Sequence, residues 1–228
     1  MHSPYYDEQA VQREVAAGRH REAIGGLWDA LGELQLRFLK DQGLQPRHKL
    51  LDLGCGALRF GVKAVDCVDP GNYFGVDLSA SLIEAGYLRE LSESQRAKLP
   101  RSHLHSSPDF DLSFLPGKVD FAIAQSLFTH MPLNHIRRCL SQLAPKLDNG
   151  GVFFATAWLV PDDWDMATPF TQPGTLDGDP IISFDVRDPY HYKLQDFQYI
   201  VTGLPYRLRL LGDWGHPRGQ PMLAFERV

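Results

Sequence analysis

The 228-residue chain carries 23 Lys and Arg against 28 Asp and Glu, a net charge of −5 with a pI near 6.0, which argues against the concentrated basic face of a nucleic-acid binder. Its 43% hydrophobic content suits one globular domain with a sizeable core, and no apolar run approaches the roughly 18 residues of a membrane span. Cys55, Cys67 and Cys139 lack the spacing of a zinc site or a disulfide framework, and the N-terminus lacks the layout of a secretion signal, so no metal, no membrane and a cytoplasmic location are expected.

Residues from about Asp7 to Gly43 are predicted as two helices, forming a helical cap over residues 1–45. Val11 and Val15 lie four apart in the first; Leu27, Leu31, Leu34 and Phe38 share one face of the second, and Gly43 supplies its C-cap. The same helices would also serve simply to cover a sheet edge. Tyr5 and Tyr6 sit on a terminal segment able to fold over an opening and exclude water, which makes them catalytic candidates; a frayed terminus is the equal alternative.

The main domain, residues 46–228, begins with Leu50-Leu51-Asp52-Leu53-Gly54-Cys55-Gly56, a buried strand running into a glycine turn and a helix from about Leu58 to Cys67. Gly54 and Gly56 let the backbone approach a bulky ligand at the start of that helix. A dinucleotide fingerprint has a third glycine where Arg59 stands, which weakens a nicotinamide reading. After the turn Asp69-Pro70-Gly71, a second strand from Asn72 to Val76 ends at Asp77, where a carboxylate accepts hydrogen bonds from ribose hydroxyls. A helix N-terminal charge is the competing reading, but Ser79 and Ser81 already offer capping oxygens. His103 to Ser106 is a short third strand. In the loop after it, Phe110 offers a stacking face for adenine and Asp109 an acceptor for its amine; a pair of solvated charges, Asp109 and Asp111, is the equal alternative.

Val119 to Ala124 is apolar almost throughout, as in a parallel strand covered on both faces. Pro132 opens a helix with Ile136, Leu140 and Leu143 on one stripe, Asn149-Gly150-Gly151 is a turn, and Val152 to Trp158 is a fifth strand. An irregular insertion at about 160–192 is long enough to roof a pocket. A helix from Leu194 to Gly203 and two terminal strands, Tyr206–Leu211 and Pro221–Glu226, complete the chain as a hairpin.

The set of Asp52-x-Gly54-x-Gly56, Asp77, a loop acid after the third strand, Asn149-Gly150-Gly151 and a final hairpin is similar to class I S-adenosylmethionine (SAM) dependent methyltransferases, over about Leu50 to Val228. Phe128-Thr129-His130-Met131-Pro132, Leu143 to Gly151 and Gly212 to Gln220 further resemble a bacterial subgroup acting on small molecules. The resemblance implies an α/β, Rossmann-like fold: a mostly parallel seven-stranded sheet, helices on both faces and a C-terminal antiparallel hairpin. It implies SAM as cofactor, with contacts from Asp52, Gly54, Gly56, Arg59, Asp77, Leu78, Asp109, Phe110, Gln125 and Ser126, the glycines and Gln125 facing the methionine part. The chain departs from the subgroup at Phe60, where many relatives carry glycine.

A sulfonium is a good leaving group, so the protein must align a nucleophile and, for a hydroxyl, remove a proton. His130, His191 and His216 are candidate bases, His130 first because it follows the fourth strand; a structural histidine is the alternative for each. Methyl transfer to a small molecule is the leading reading. Cyclisation of SAM alone to azetidine-2-carboxylate and methylthioadenosine is the second; it calls for an aromatic pocket, for which Phe60, Tyr5, Tyr6, Phe128 and Trp158 are candidates. Binding of SAM without turnover is the third.

Overall fold

The computed structural model describes residues 4–176 and 178–228, which divide into two compact units, Pro4–Ile123 and Ala124–Val228. In the first unit a short 3-10 turn at Pro4–Tyr6 leads into α1 (Glu8–Ala16), which starts where the Asp7 carboxylate accepts from Ala10 N at 3.0 Å. The one-turn α2 (His20–Ala23) and α3 (Trp28–Asp41) follow. Leu31, Leu34 and Phe38 are buried as their spacing predicts, but Leu27 is 43% exposed with φ +50 and stands before the helix. Gly25 and Gly26 on its N-terminal side also take positive φ, so the chain is still turning there and the apolar period starts one step late.

The strands β1 (Leu50–Leu53), β2 (Tyr73–Asp77), β3 (Leu104–Ser106) and β4 (Val119–Ala124) are parallel neighbours in the order β3-β2-β1-β4. All of β1 is buried, as a strand flanked on both edges and covered on both faces must be. The helix expected from Leu58 shrinks to α4 (Gly61–Ala64), because Leu58 itself sits at φ +65 and helical geometry starts only beyond it. The connections after β2 hold α5 (Ala80–Ala85), which runs on into a π-helical turn at Gly86–Glu90, and α6 (Glu93–Lys98), opened by a capping box between Ser92 and Gln95.

The second unit opens with α7 (Leu133–Leu143), whose Ile136, Leu140 and Leu143 are fully buried, and β5 (Leu147–Thr156). β5 starts upstream of the expected turn and passes through Asn149-Gly150-Gly151, Gly150 taking φ +78 where no Cβ resists it. β6 (Trp158–Leu159) pairs in parallel with β9 (His191–Tyr192) and so leaves the main sheet. Between them the segment read as irregular contains a hairpin, β7 (Phe170–Leu176) and β8 (Asp179–Ser183). α8 (Leu194–Ile200) precedes β10 (Tyr206–Gly212) and β11 (Met222–Arg227), which pair antiparallel with each other, and β11 with β5. The seven strands form one sheet of order β10-β11-β5-β4-β1-β2-β3, the Rossmann-like topology the sequence implied.

The core of this unit is aromatic. Phe128 meets Phe153 edge-on at 5.8 Å and Phe225 at 6.3 Å, and stacks with Phe197 at 6.2 Å. Among the described residues no helix is long and apolar enough to cross a membrane. Phe153→Ala removes one fully buried ring of this cluster and is expected to cost about 3–5 kcal/mol. Urea denaturation reads the loss as a lower midpoint at unchanged slope; an unaltered midpoint would show the cluster to be energetically idle.

Candidate functional site

In the first unit the site is built on the loop leaving β1. Gly54 N and Cys55 N both donate to Val76 O, at 2.8 and 3.1 Å, which ties the loop to the end of β2. Gly54 and Gly56 adopt φ +76 and +51, the left-handed turn expected of them. Asp77 stands at the last position of β2 and uses both carboxylate oxygens: Oδ2 accepts from Gly56 N at 2.8 Å and Oδ1 from Ser79 N at 2.9 Å. Ser79 Oγ in turn caps α5 by accepting from Leu82 N. Burial pushes the Asp77 carboxyl upward, and backbone donors from Ser79, Gly56 and Leu78 oppose it.

Asp52 and Arg59 face inward. Asp52 is buried on β1 and accepts from Tyr73 Oη at 2.7 Å; burial, which the Tyr73 bond opposes, pushes its carboxyl up to about 7. Arg59 Nη1 donates to the carbonyls of Ile24 and Gly26 at 3.1 and 2.8 Å, pinning the chain between α2 and α3 beside the glycine loop. Phe60 is buried edge-on to Tyr73 at 6.4 Å. With Phe128 in the aromatic core and Trp158 buried, three of the five rings assigned to an aromatic pocket belong to packing, because each ring gains more from full burial than an open wall returns.

After β3, Ser107 Oγ accepts from Asp109 N and Asp111 N at 3.3 and 2.8 Å, shaping a turn in which Phe110 takes φ +57. Asp109 is exposed, and the phenol of nearby Tyr6 is pushed up by partial burial and then by the Asp109 charge, so it stays protonated. Leu78, next to Asp77, accepts from Ser106 Oγ through its carbonyl at 2.9 Å. Tyr5, like Leu78, is half-buried.

In the second unit Gln125 and Ser126 leave β4 into a buried polar network. Ser126 holds φ +57; its N–H donates to Thr156 Oγ1 at 2.7 Å, and its hydroxyl and that of Thr156 both donate to Gln220 Oε1, at 2.9 and 2.7 Å. His216 Nδ1 accepts from Arg218 N at 3.1 Å, and its Nε2 lies 2.9 Å from the Gln125 amide nitrogen. His191 is wholly buried, its Nδ1 2.9 Å from Ser183 Oγ, and burial pushes its pKa down. His130 differs: its side chain is 27% exposed and Nδ1 lies 2.7 Å from Asp188 Oδ1. The backbone bond from Tyr190 N to Thr129 O, 2.7 Å, brings the Asp188 segment alongside. Neither Asp188 nor Gln220 was singled out from the sequence, since 58 residues separate His130 from its partner and no periodicity links them.

Among the described residues no group of three or more His, Cys, Asp or Glu is placed to hold a metal ion. Residues 51–153 match the family model described as "Methyltransferase domain". The chain is similar in structure to magnesium protoporphyrin IX methyltransferase of Synechocystis with bound SAM, at 16% identity and TM-score 0.60 over 97% of each chain. It is similar also to an amino pentose methyltransferase of Micromonospora echinaspora with bound SAM, at 14% identity and TM-score 0.60 over 93% of this chain and 95% of the other. A sugar N-methyltransferase of Streptoalloteichus gives 18% identity and TM-score 0.60 over 88% and 87%.

The fold is that of the class I SAM-dependent methyltransferases, and the stretch from residue 51 to residue 153 is the part that matches a methyltransferase domain.

The raised carboxyl of Asp52 ties stability to pH. Its folded pKa of about 7 exceeds the unfolded value near ~3.9, so the stability of the protonated form is complete below about pH 4 and lost as pH rises through about 7. Asp52→Asn keeps an acceptor for Tyr73 and cannot ionise. The melting temperature of the wild type is expected to fall relative to this variant between pH 5 and pH 8; parallel profiles would refute the assignment.

Proposed function

We propose that the chain transfers the methyl group of SAM to a nitrogen or oxygen nucleophile of a small-molecule acceptor, by in-line displacement at the sulfonium. The observation that carries the base assignment is the His130–Asp188 pair, Nδ1 to Oδ1 at 2.7 Å. A carboxylate holding Nδ1–H fixes the tautomer that makes Nε2 the basic atom, and it stabilises the imidazolium formed when a proton is taken from the acceptor. His191 and His216 are held in buried hydrogen bonds that suit structural roles.

The residues of the cofactor half fit SAM by the chemistry of their donor set. Asp77 keeps lone pairs for the ribose hydroxyls, the Gly54–Gly56 backbone turns without side chains toward the methionine part, and Phe110 and Asp109 offer a ring face and an acceptor to adenine. Gln125 and Ser126 are assigned to the methionine end by the resemblance. When bound, SAM supplies an electrophilic methyl on a good leaving group, which leaves the protein alignment, water exclusion and one proton transfer. Tyr6, kept protonated, is a hydrogen-bond donor rather than a base. The solved relatives named in their descriptions as porphyrin, amino pentose and sugar methyltransferases support an acceptor of that size.

Purified protein with methyl-labelled SAM and a panel of amino sugars and hydroxylated small molecules is expected to yield S-adenosylhomocysteine (SAH) and one labelled acceptor, and no product from SAM alone. Methylthioadenosine without an acceptor would overturn methyl transfer. His130→Gln is expected to keep SAH affinity while kcat falls about 10²–10⁴-fold, the usual share of a general base. Asp188→Asn should lower kcat less and shift its pH profile. An unchanged rate in His130→Gln removes it as base.

A further inference from the structure

The cofactor half carries a second carboxylate that the sequence reading left unassigned. Glu8 lies in the first turn of α1, and its Oε1 accepts from Ser81 Oγ at 2.7 Å and more weakly from Ser81 N at 3.4 Å. Ser81 Oγ is also 2.9 Å from Ser79 Oγ, and Ser79 N is held by Asp77. With the Ser81 hydrogen committed to Glu8, Ser79 donates to Ser81, so one directed chain of hydrogen bonds runs from α5 to Glu8 beside Asp77. The other oxygen, Glu8 Oε2, is buried with no hydrogen-bond partner. The Glu8 charge is near enough to Asp77 to contribute to that carboxyl's upward shift. Two acids face one small region with one oxygen lacking a donor, an arrangement that is costly until a ligand supplies hydrogens.

The segment carrying Glu8 lies over the glycine loop. Val11, Ala57 and Leu82 pack together with Val15, Ala23, Ile24 and Trp28, and a Cβ added at Gly56 would stand 2.9 Å from Ile24 Cγ2. Arg59 holds the carbonyls of Ile24 and Gly26. Glu90 accepts from Arg21 Nε at 2.8 Å and contacts His20 Nε2 at 2.6 Å, fixing the far end of the segment.

We propose that Glu8 is a positioning residue for the cofactor: with Asp77 it forms a two-carboxylate clamp for the vicinal hydroxyls of the ribose, and filling that clamp fastens α1 over the nucleoside. This rests on the SAM reading of the Asp77 site. Before the ligand binds, like charge and an orphaned oxygen disfavour the docked segment. A vicinal diol supplies one donor to each acid and reverses the balance. A nucleoside lacking both hydroxyls leaves Glu8 unsatisfied.

Glu8→Gln keeps an acceptor for Ser81 but places an amide beside Asp77, whereas Ser81→Ala breaks the latch and leaves the carboxylate. Calorimetry with SAH is expected to show at least ~10-fold weaker binding for Glu8→Gln, as for loss of a charged hydrogen bond. The wild-type preference for adenosine over 2′,3′-dideoxyadenosine should shrink by a similar factor in Glu8→Gln and persist in Ser81→Ala. Hydrogen exchange should show SAH protecting residues 8–16 strongly in the wild type, with a smaller increment in Glu8→Gln because its segment is already docked. Wild-type SAH affinity and an unchanged adenosine preference in Glu8→Gln overturn this inference alone. Failure of the wild type to bind SAH overturns the cofactor assignment and this inference with it.

Discussion

One carboxylate organises the first unit. Asp77 accepts a backbone N–H from the glycine loop on one oxygen and from the approach to α5 on the other, so the ends of β1 and β2 and the start of a helix become one rigid object. Neither donor has a partner within its own element: Gly56 lies in a left-handed turn and Ser79 precedes a helix. The same burial that makes these bonds strong raises the cost of the charge, which shows as an upward-shifted carboxyl. A ligand with hydroxyl donors would relieve that cost, which is the physical basis of the nucleoside site proposed at this carboxylate.

The packing around this carboxylate explains why Arg59, Phe60 and Asp52 serve the scaffold. Each sits within a few residues of Gly56, in a loop that must be immobile to present its N–H groups. Arg59 fastens the N-terminal segment, Phe60 fills space against Tyr73, and Asp52 accepts the Tyr73 hydroxyl that would otherwise be an unpaired buried donor. The second unit follows another logic. Its antiparallel strands bury a cluster of phenylalanines, and its polar side chains satisfy one another in the network of Ser126, Thr156, Gln220, Gln125 and His216. Against that inward-turned background His130, 27% exposed and backed by Asp188, stands apart from the buried histidines.

Much of the fold was legible because its signals are local. The near-continuous apolar run Val119–Ala124 matches β4 residue for residue, its one polar position, Asp120, being taken up by a bond from Lys49 N at 2.7 Å. Gly54, Gly56 and Asp77 were readable because a left-handed turn and a strand-end acid narrow the residue types that fit. The hairpin β7–β8 was hidden because Pro173, Gly174, Asp179 and Pro180 break its alternation, and the pairing of its strands across the turn supplies the order.

The sequence by itself determined the parallel α/β order, the glycine turn and the acid beside it, for these depend on period, chirality and the conformations each residue tolerates. Only the tertiary structure decided which aromatic rings are core, which histidine has a carboxylate behind it, and that Glu8 of the first helix meets Ser81 beside Asp77. Those are contacts between residues 58 and 73 positions apart, and a hydrogen bond between side chains leaves no periodic trace in the chain that makes it.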